Sequence, residues 1–141
     1  MFIPFIFQLK LKFTLGVHII EDILFMVASF IGKDKDNYSS VYDIAHIMKY
    51  CLKNETFKEI ISTDMHYIER LDLQINGPLY KVQNKYGVDV SMINGSKSGF
   101  TSLAKHSLVS YGEKDNITYI VVVDYADSFK QLLLDNQKIY N

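Results

Sequence analysis

The sequence has a single cysteine, Cys51, which excludes an internal disulfide. A lone thiol with no zinc-type neighbours reads as a small core residue. Charge of either sign is not in excess: 15 Lys and Arg stand against 16 Asp and Glu, a net charge of -1. With no long basic run, nucleic-acid binding driven by phosphate neutralisation is excluded. His18, His46, His66 and His106 are scattered, and no His, Asp or Glu set has metal-ligand spacing, so no metal is expected. Repeats and low-complexity tracts are missing too. The apolar opening "MFIPFIFQLKLKF" has no positive stretch before it and no small-residue cleavage site after it. A clean signal peptide is therefore not expected, and at most a damaged remnant of an export signal. "VHIIEDILFMVASFIG" carries Glu21 and Asp22 and is shorter than the ~20 residues a spanning helix needs. Ile20, Ile23, Leu24, Val27 and Ile31 fall at helical spacing and predict an amphipathic helix there.

What is present is a globular composition. Hydrophobic residues make up 48% of 141, enough for one domain; a chain of ~150 residues buries about two-thirds of its unfolded surface. After the polar break "GKDKDN", Ser40 and Asp43 form a capping box. Ile44, Ala45, Ile47, Met48, Cys51 and Leu52 then make one helical stripe over 41–53, with His46 and Lys49 off its most buried line. Asn54 is a candidate cap for a second helix, with Phe57, Ile60 and Ile61 inward and an end near Ser62. From Leu71 the period drops to two. Leu71, Leu73 and Ile75 alternate up to the turn Asn76-Gly77-Pro78, and Val88, Val90 and Met92 alternate up to Asn94-Gly95, predicting strands. "HSLVSYGEKDNITYIVVVDY" predicts a hairpin: Ser107–Tyr111, a polar turn over 112–116, then Ile117–Val123. A last helix should begin near Asp127 or Ser128, with Phe129, Leu132, Leu133 and Leu134 apolar. Helices first, then antiparallel strands, then a helix is an α+β pattern.

"INGSKSGFT", residues 93–101, carries the chemistry. A phosphate loop would need Gly immediately before Lys so that backbone N–H groups curl around phosphate. Here Ser96 precedes Lys97, and the segment reads as a strand. Lys97-Ser98-Gly99 instead has the K-[ST]-G form that serine acyl-transfer enzymes carry on a strand. A strand-borne Lys and hydroxyl make a cationic, hydrogen-bonding shelf for a carboxylate, and Gly permits close approach of a substrate backbone.

The flanks extend the match. "GSKSGFTSLAKHSLVS" resembles the region of D-alanyl-D-alanine carboxypeptidases in which K-T-G is followed by an aromatic, Thr, a short loop and a strand. "NYSSVYDIAHIMKYCLKNETFKEIIST" resembles the helical segment those enzymes carry upstream. The two stretches come in the family's order and cover most of 37–123. The resemblance implies part of a penicillin-binding-protein type domain, an antiparallel sheet with flanking helices, and a serine-type peptidase of cell-wall metabolism. Its substrate would be a peptidoglycan stem peptide, met outside the cytoplasmic membrane, with no metal or organic cofactor. On that template Lys97 orients substrate and supports proton transfer, Ser98 binds the terminal carboxylate, and the Phe100 N–H is an oxyanion donor. Gly99 and Thr101 complete the shelf.

The departures shape the expectation. The family's S-x-x-K and S-x-N precede the "NYSS" segment, where only residues 1–36 stand here, and S-x-N occurs nowhere. Ser102-Leu103-Ala104-Lys105 is literally an S-x-x-K, but it lies between two predicted strands, with no helix to bring the lysine under the hydroxyl. Lys105 stands where these enzymes often have Gly. The expectation is an atypical apolar segment, 1–36, ahead of a partial, truncated carboxypeptidase domain, 37–141, without a nucleophile and inactive alone. The alternative is a non-catalytic remnant or interaction domain. Either way, exposed apolar surface and self-association are expected.

Overall fold

The structure, a computed structural model, describes residues 39–102 and 104–141. The predicted amphipathic helix within 18–31 and the export-signal reading lie outside them. Ser40 caps α1 (Val41–Cys51) reciprocally: its hydroxyl accepts the Asp43 N–H at 3.1 Å, and the Asp43 carboxylate accepts the Ser40 N–H at 3.3 Å. Ile44, Met48 and Cys51 are its buried line, and His46 and Lys49 are exposed. Asn54 then caps α2 (Glu55–Ser62), accepting the Phe57 N–H at 3.0 Å. Both caps satisfy N–H groups that a helix start leaves without partners.

Beyond Ser62 the chain makes a small antiparallel hairpin, β1 (Met65–Ile68) with β2 (Leu73–Asn76), joined by a 3-10 turn. A short helix, α3 (Val82–Tyr86), stops at Gly87 with φ +67°. The main sheet has the order β3-β4-β5, built from β3 (Gly95–Thr101), β4 (Lys105–Lys114) and β5 (Ile117–Ala126). Ser128 caps the last helix, α4 (Phe129–Tyr140).

Three expectations need correction. Residues 88–92 do not form a strand. Their alternation belongs to a loop lying over the core, in which Val88 is buried. Asn94 ends that loop by donating its N–H to the Tyr111 carbonyl and accepting the Glu113 N–H, both at 2.8 Å. The β4–β5 turn is tighter than expected. Lys114 pairs with Ile117, leaving only Asp115 and Asn116 between the strands at φ +53° and +62°, the type I′ geometry that matches sheet twist. Gly112 is consequently not a turn residue. A Cβ there would meet the Met92 carbonyl oxygen at 2.1 Å, so this strand position excludes any side chain. Finally, Leu71 is not part of the strand: it ends the 3-10 turn and β2 begins only at Leu73, while α3 and β1 carried no period long enough to read.

The sheet separates two apolar clusters. On one face α1 and α2 pack Ile44, Met48, Cys51, Phe57 and Ile61 against Val109 and Tyr111. On the other, α4 packs Leu132 and Leu133 against Leu108, Val82, Val88 and Ala126. Burying a Leu of this kind contributes about 1.5–3 kcal/mol. Cys51 is a core residue as expected, and burial pushes its thiol up to about 11. Between sheet and α4 the Asn136 amide donates to the Ser110 hydroxyl at 3.0 Å, both groups fully buried. No helix among the described residues is long and apolar enough to cross a membrane.

Candidate active-site strand

All five shelf residues lie on β3, which pairs only with β4 among the described residues. The register is Lys97↔Val109, Ser98↔Leu108, Gly99↔Ser107, Phe100↔His106 and Thr101↔Lys105. The strand places Lys97 on the face shared with Val109, toward α1 and α2. Ser98 falls on the face shared with Leu108. The two side chains therefore leave β3 on opposite faces of the sheet.

The start of the strand is held tightly. The Tyr111 hydroxyl is 2.7 Å from the Ser62 hydroxyl at the end of α2, and Gly95 lies directly over the Tyr111 ring. Lys97 curls back along the strand and donates its Nζ to the Ser98 carbonyl at 2.5 Å. It is half-buried, and burial pushes its pKa below the ordinary lysine value of 10.5. Phe100 is 62% exposed, with its ring 4.5 Å from that of His106. The Thr101 hydroxyl accepts the Ala104 N–H at 2.9 Å and so shapes the turn into β4.

The literal S-x-x-K has no helix. β3 ends at Thr101 and β4 begins at Lys105, and Ser102 is exposed between them. Lys105 adopts φ +58°, which accounts for the glycine expected at this position. Its Nζ is bound 2.5 Å from the Asp127 carboxylate and lies 4.3 Å from the centre of the Tyr125 ring. That ion pair raises the Lys105 pKa and lowers that of Asp127, chiefly through the hydrogen bond. Lys105 is thus engaged away from any hydroxyl it could deprotonate.

One feature near the shelf left no signal in the sequence. Between His106 and Leu108 the β4–β5 register shifts, placing Asp124 and Tyr125 opposite Ser107. Tyr125 sits at φ +63°, a strained value for an aromatic residue. The buried Ser107 hydroxyl opposite it has no hydrogen-bond partner among the described residues.

The family model for D-alanyl-D-alanine carboxypeptidases, peptidase family S11, matches residues 26–128. The chain belongs to this family. The match takes in α1, α2, all five strands and the K-S-G shelf. No curated protein sequence matches the chain. Among solved structures it is similar to a penicillin-binding protein homologue of Mycobacterium tuberculosis, with a TM-score of 0.57 and 14% identity, over 85% of this chain and 51% of that one. It is likewise similar to a D-alanyl-D-alanine carboxypeptidase of the same organism, with a TM-score of 0.54 and 13% identity, over 86% and 51%. At such identities the likeness establishes the fold: the α+β arrangement of antiparallel sheet and flanking helices is that of penicillin-binding-protein domains. The chain spans about half the length of these proteins.

Proposed function

We propose that β3 is the carboxylate-binding shelf of a serine-type D-Ala-D-Ala carboxypeptidase domain, and that these 141 residues alone bind without turning over. The observation that supports this most is the placement of Lys97 and Ser98. They lie on the open-edged strand of a family-matched domain, the lysine half-buried and the serine one residue on. A stem peptide ending in D-Ala-D-Ala would lie along that open edge. The Lys97 ammonium and Ser98 hydroxyl would hold its terminal carboxylate by charge-assisted hydrogen bonds, and the Phe100 N–H would face the scissile carbonyl oxygen. In the complete reaction a serine hydroxyl attacks the penultimate D-Ala carbonyl carbon. The terminal D-Ala leaves with a proton on its amine, and water then releases the acyl group from the serine. The nucleophile is what this sequence lacks, since its one S-x-x-K spans a strand-to-strand turn and S-x-N is absent.

On this reading residues 37–141 form the partial domain behind an atypical apolar segment, 1–36, whose last residues, 26–36, already fall within the family match, and the activity belongs to the cell envelope. The test is binding of a short peptide ending in D-Ala-D-Ala, followed by amide NMR. Shifts at Ser98, Gly99 and Phe100 that vanish in Lys97→Ala are expected; an unperturbed β3 would overturn the proposal.

One observation favours the interaction-domain reading. The β1–β2 hairpin and its turn expose Met65, Tyr67, Leu71, Leu73 and Ile75, each between 44% and 57%. By the register, Met65 and Tyr67 share one face of the hairpin and Leu73 and Ile75 the other; apolar residues exposed on both faces of one hairpin support self-association. Sedimentation of the wild type beside a Tyr67→Lys, Leu73→Lys variant decides it: a monomer at high concentration in both would remove this reading.

A further inference from the structure

Two residues at the end of the main sheet nearest α4 carry left-handed backbone without being glycine. Lys105 opens β4 at φ +58°, and Tyr125 stands in the register shift of β5 at φ +63°. The region is disfavoured for residues with a side chain, because Cβ crowds the following carbonyl oxygen. Glycine adopts it freely, and glycine is what the carboxypeptidases often carry at the position of Lys105. With lysine there, contacts of its side chain have to offset the strain.

Those contacts are specific. The Lys105 Nζ donates to the Asp127 carboxylate at 2.5 Å. It also lies 4.3 Å from the centre of the Tyr125 ring, inside the ~6 Å range of a cation–π contact. The Asp124 carboxylate accepts the Tyr125 N–H at 2.8 Å and so supports the bulge. One lysine side chain thus joins the two strained residues, and ties both to the residue before the Ser128 cap of α4. The side chains of Lys105 and Asp127 are 35% and 85% exposed, and an ion pair so open to water adds little to global stability. Its effect is local, and its neighbour is the end of the shelf. Lys105 is the β4 partner of Thr101, and His106 that of Phe100. Without its anchors Lys105 is free to leave the left-handed region, and these two rungs are the first to fray.

We propose that Lys105 is a positioning residue of the shelf: anchored on Asp127 and Tyr125, it fixes the last two rungs of β3 and with them the Phe100 N–H. The consequence for substrate rests on the shelf reading, whereas the anchoring is a property of the ligand-free chain.

Amide NMR on the ligand-free chain is therefore the first test. In Asp127→Asn, which keeps the side-chain shape, the Phe100, Thr101 and His106 amides should shift and exchange ~10-fold faster, while those of Ser96 and Ser110 stay unmoved. Lys105→Met should give the same pattern, and Lys105→Arg, which keeps the charge and the ring contact, should restore that of the wild type. About 1 M NaCl, where the screening length is ~3 Å, should move the wild-type amides the same way without any substitution and leave those of Asp127→Asn in place. Unmoved Phe100 and Thr101 amides in both Asp127→Asn and Lys105→Met overturn the proposal. So do shifts spread over the whole sheet, which make the pair a structural contact alone. The second test is the peptide ending in D-Ala-D-Ala, which Asp127→Asn should bind ~3–10-fold more weakly, the worth of one misaimed hydrogen bond. Equal affinity in the variant and the wild type overturns the positioning role. A wild type that binds no peptide removes the shelf reading, and the anchoring then stands or falls on the ligand-free amides.

Discussion

Replacing Gly95 with Ala tests whether the shelf is pinned where the structure places it. Gly95 has no left-handed backbone requirement, so the substitution is governed by space alone. A Cβ there would lie 2.6 Å from Cε1 of Tyr111, and 3.0 Å from both the Ile61 carbonyl oxygen and the Ser62 hydroxyl. The ring cannot swing aside freely, because Tyr111 is 2% exposed and its hydroxyl is tied to Ser62 at 2.7 Å. Overpacking of this kind costs about 1–3 kcal/mol, and loosening the Tyr111–Ser62 hydrogen bond adds about 1 kcal/mol. The expected loss is about 2–4 kcal/mol. For a domain of this size it appears as a fall in Tm of roughly 6–15 °C, measured by calorimetry or circular dichroism. In a Tyr111→Phe background the ring is free to shift, and the cost of Gly95→Ala should shrink, a coupling of about 1 kcal/mol in a double-mutant cycle. A neutral Gly95→Ala, or equal costs in the two backgrounds, would refute the packing argument and with it the placement of β3 against α2.

Other outcomes follow from the same contacts. Burial holds the Lys97 pKa below its unfolded value of 10.5, so between the two the unfolded chain binds more protons and stability rises with pH. Lys97→Met should remove that rise, as read from urea midpoints at pH 8, 9 and 10; an identical pH profile in the variant would contradict it. Asn116→Gly, at the second left-handed position of the β4–β5 turn, should stabilise the chain by roughly 0.5–1 kcal/mol, and a destabilisation would show that the turn is not type I′. Cys51, buried with its thiol pushed up to about 11, should resist a thiol reagent at pH 8 in the native chain and react on unfolding. Rapid native labelling would remove it from the core.

Long periodic elements were legible in the sequence. α1 and α2 announced themselves through Ser40, Asp43 and Asn54, and α4 through Ser128 and its leucines, because each cap and stripe is a local property. The β4–β5 hairpin was legible by alternation, but its turn was drawn too wide. Gly112 looked like a turn residue, and nothing in the local sequence reveals that the Met92 carbonyl presses on it. Residues 88–92 alternated without becoming a strand, since the pattern records contact with the core and not backbone pairing. The K-S-G run was readable as a motif, and its place on a strand was read from the same residues. Three properties required the fold: the burial of Lys97, the capture of the Thr101 hydroxyl by the turn, and the strained bulge opposite Ser107. Each depends on a neighbour distant in sequence.

The central claim is a substrate shelf without a nucleophile, and covalent labelling with a fluorescent penicillin tests it most directly. Acylation needs a hydroxyl within hydrogen-bond reach of its base. Ser102 is exposed on a turn, and Lys105 is held at 2.5 Å by Asp127. The account predicts that the purified chain, incubated with the label and then denatured, carries no fluorescence on a gel and releases no D-Ala from a stem-peptide mimic. Fluorescence that survives denaturation and disappears in Ser102→Ala would contradict it and make the strand-to-strand turn the seat of the nucleophile.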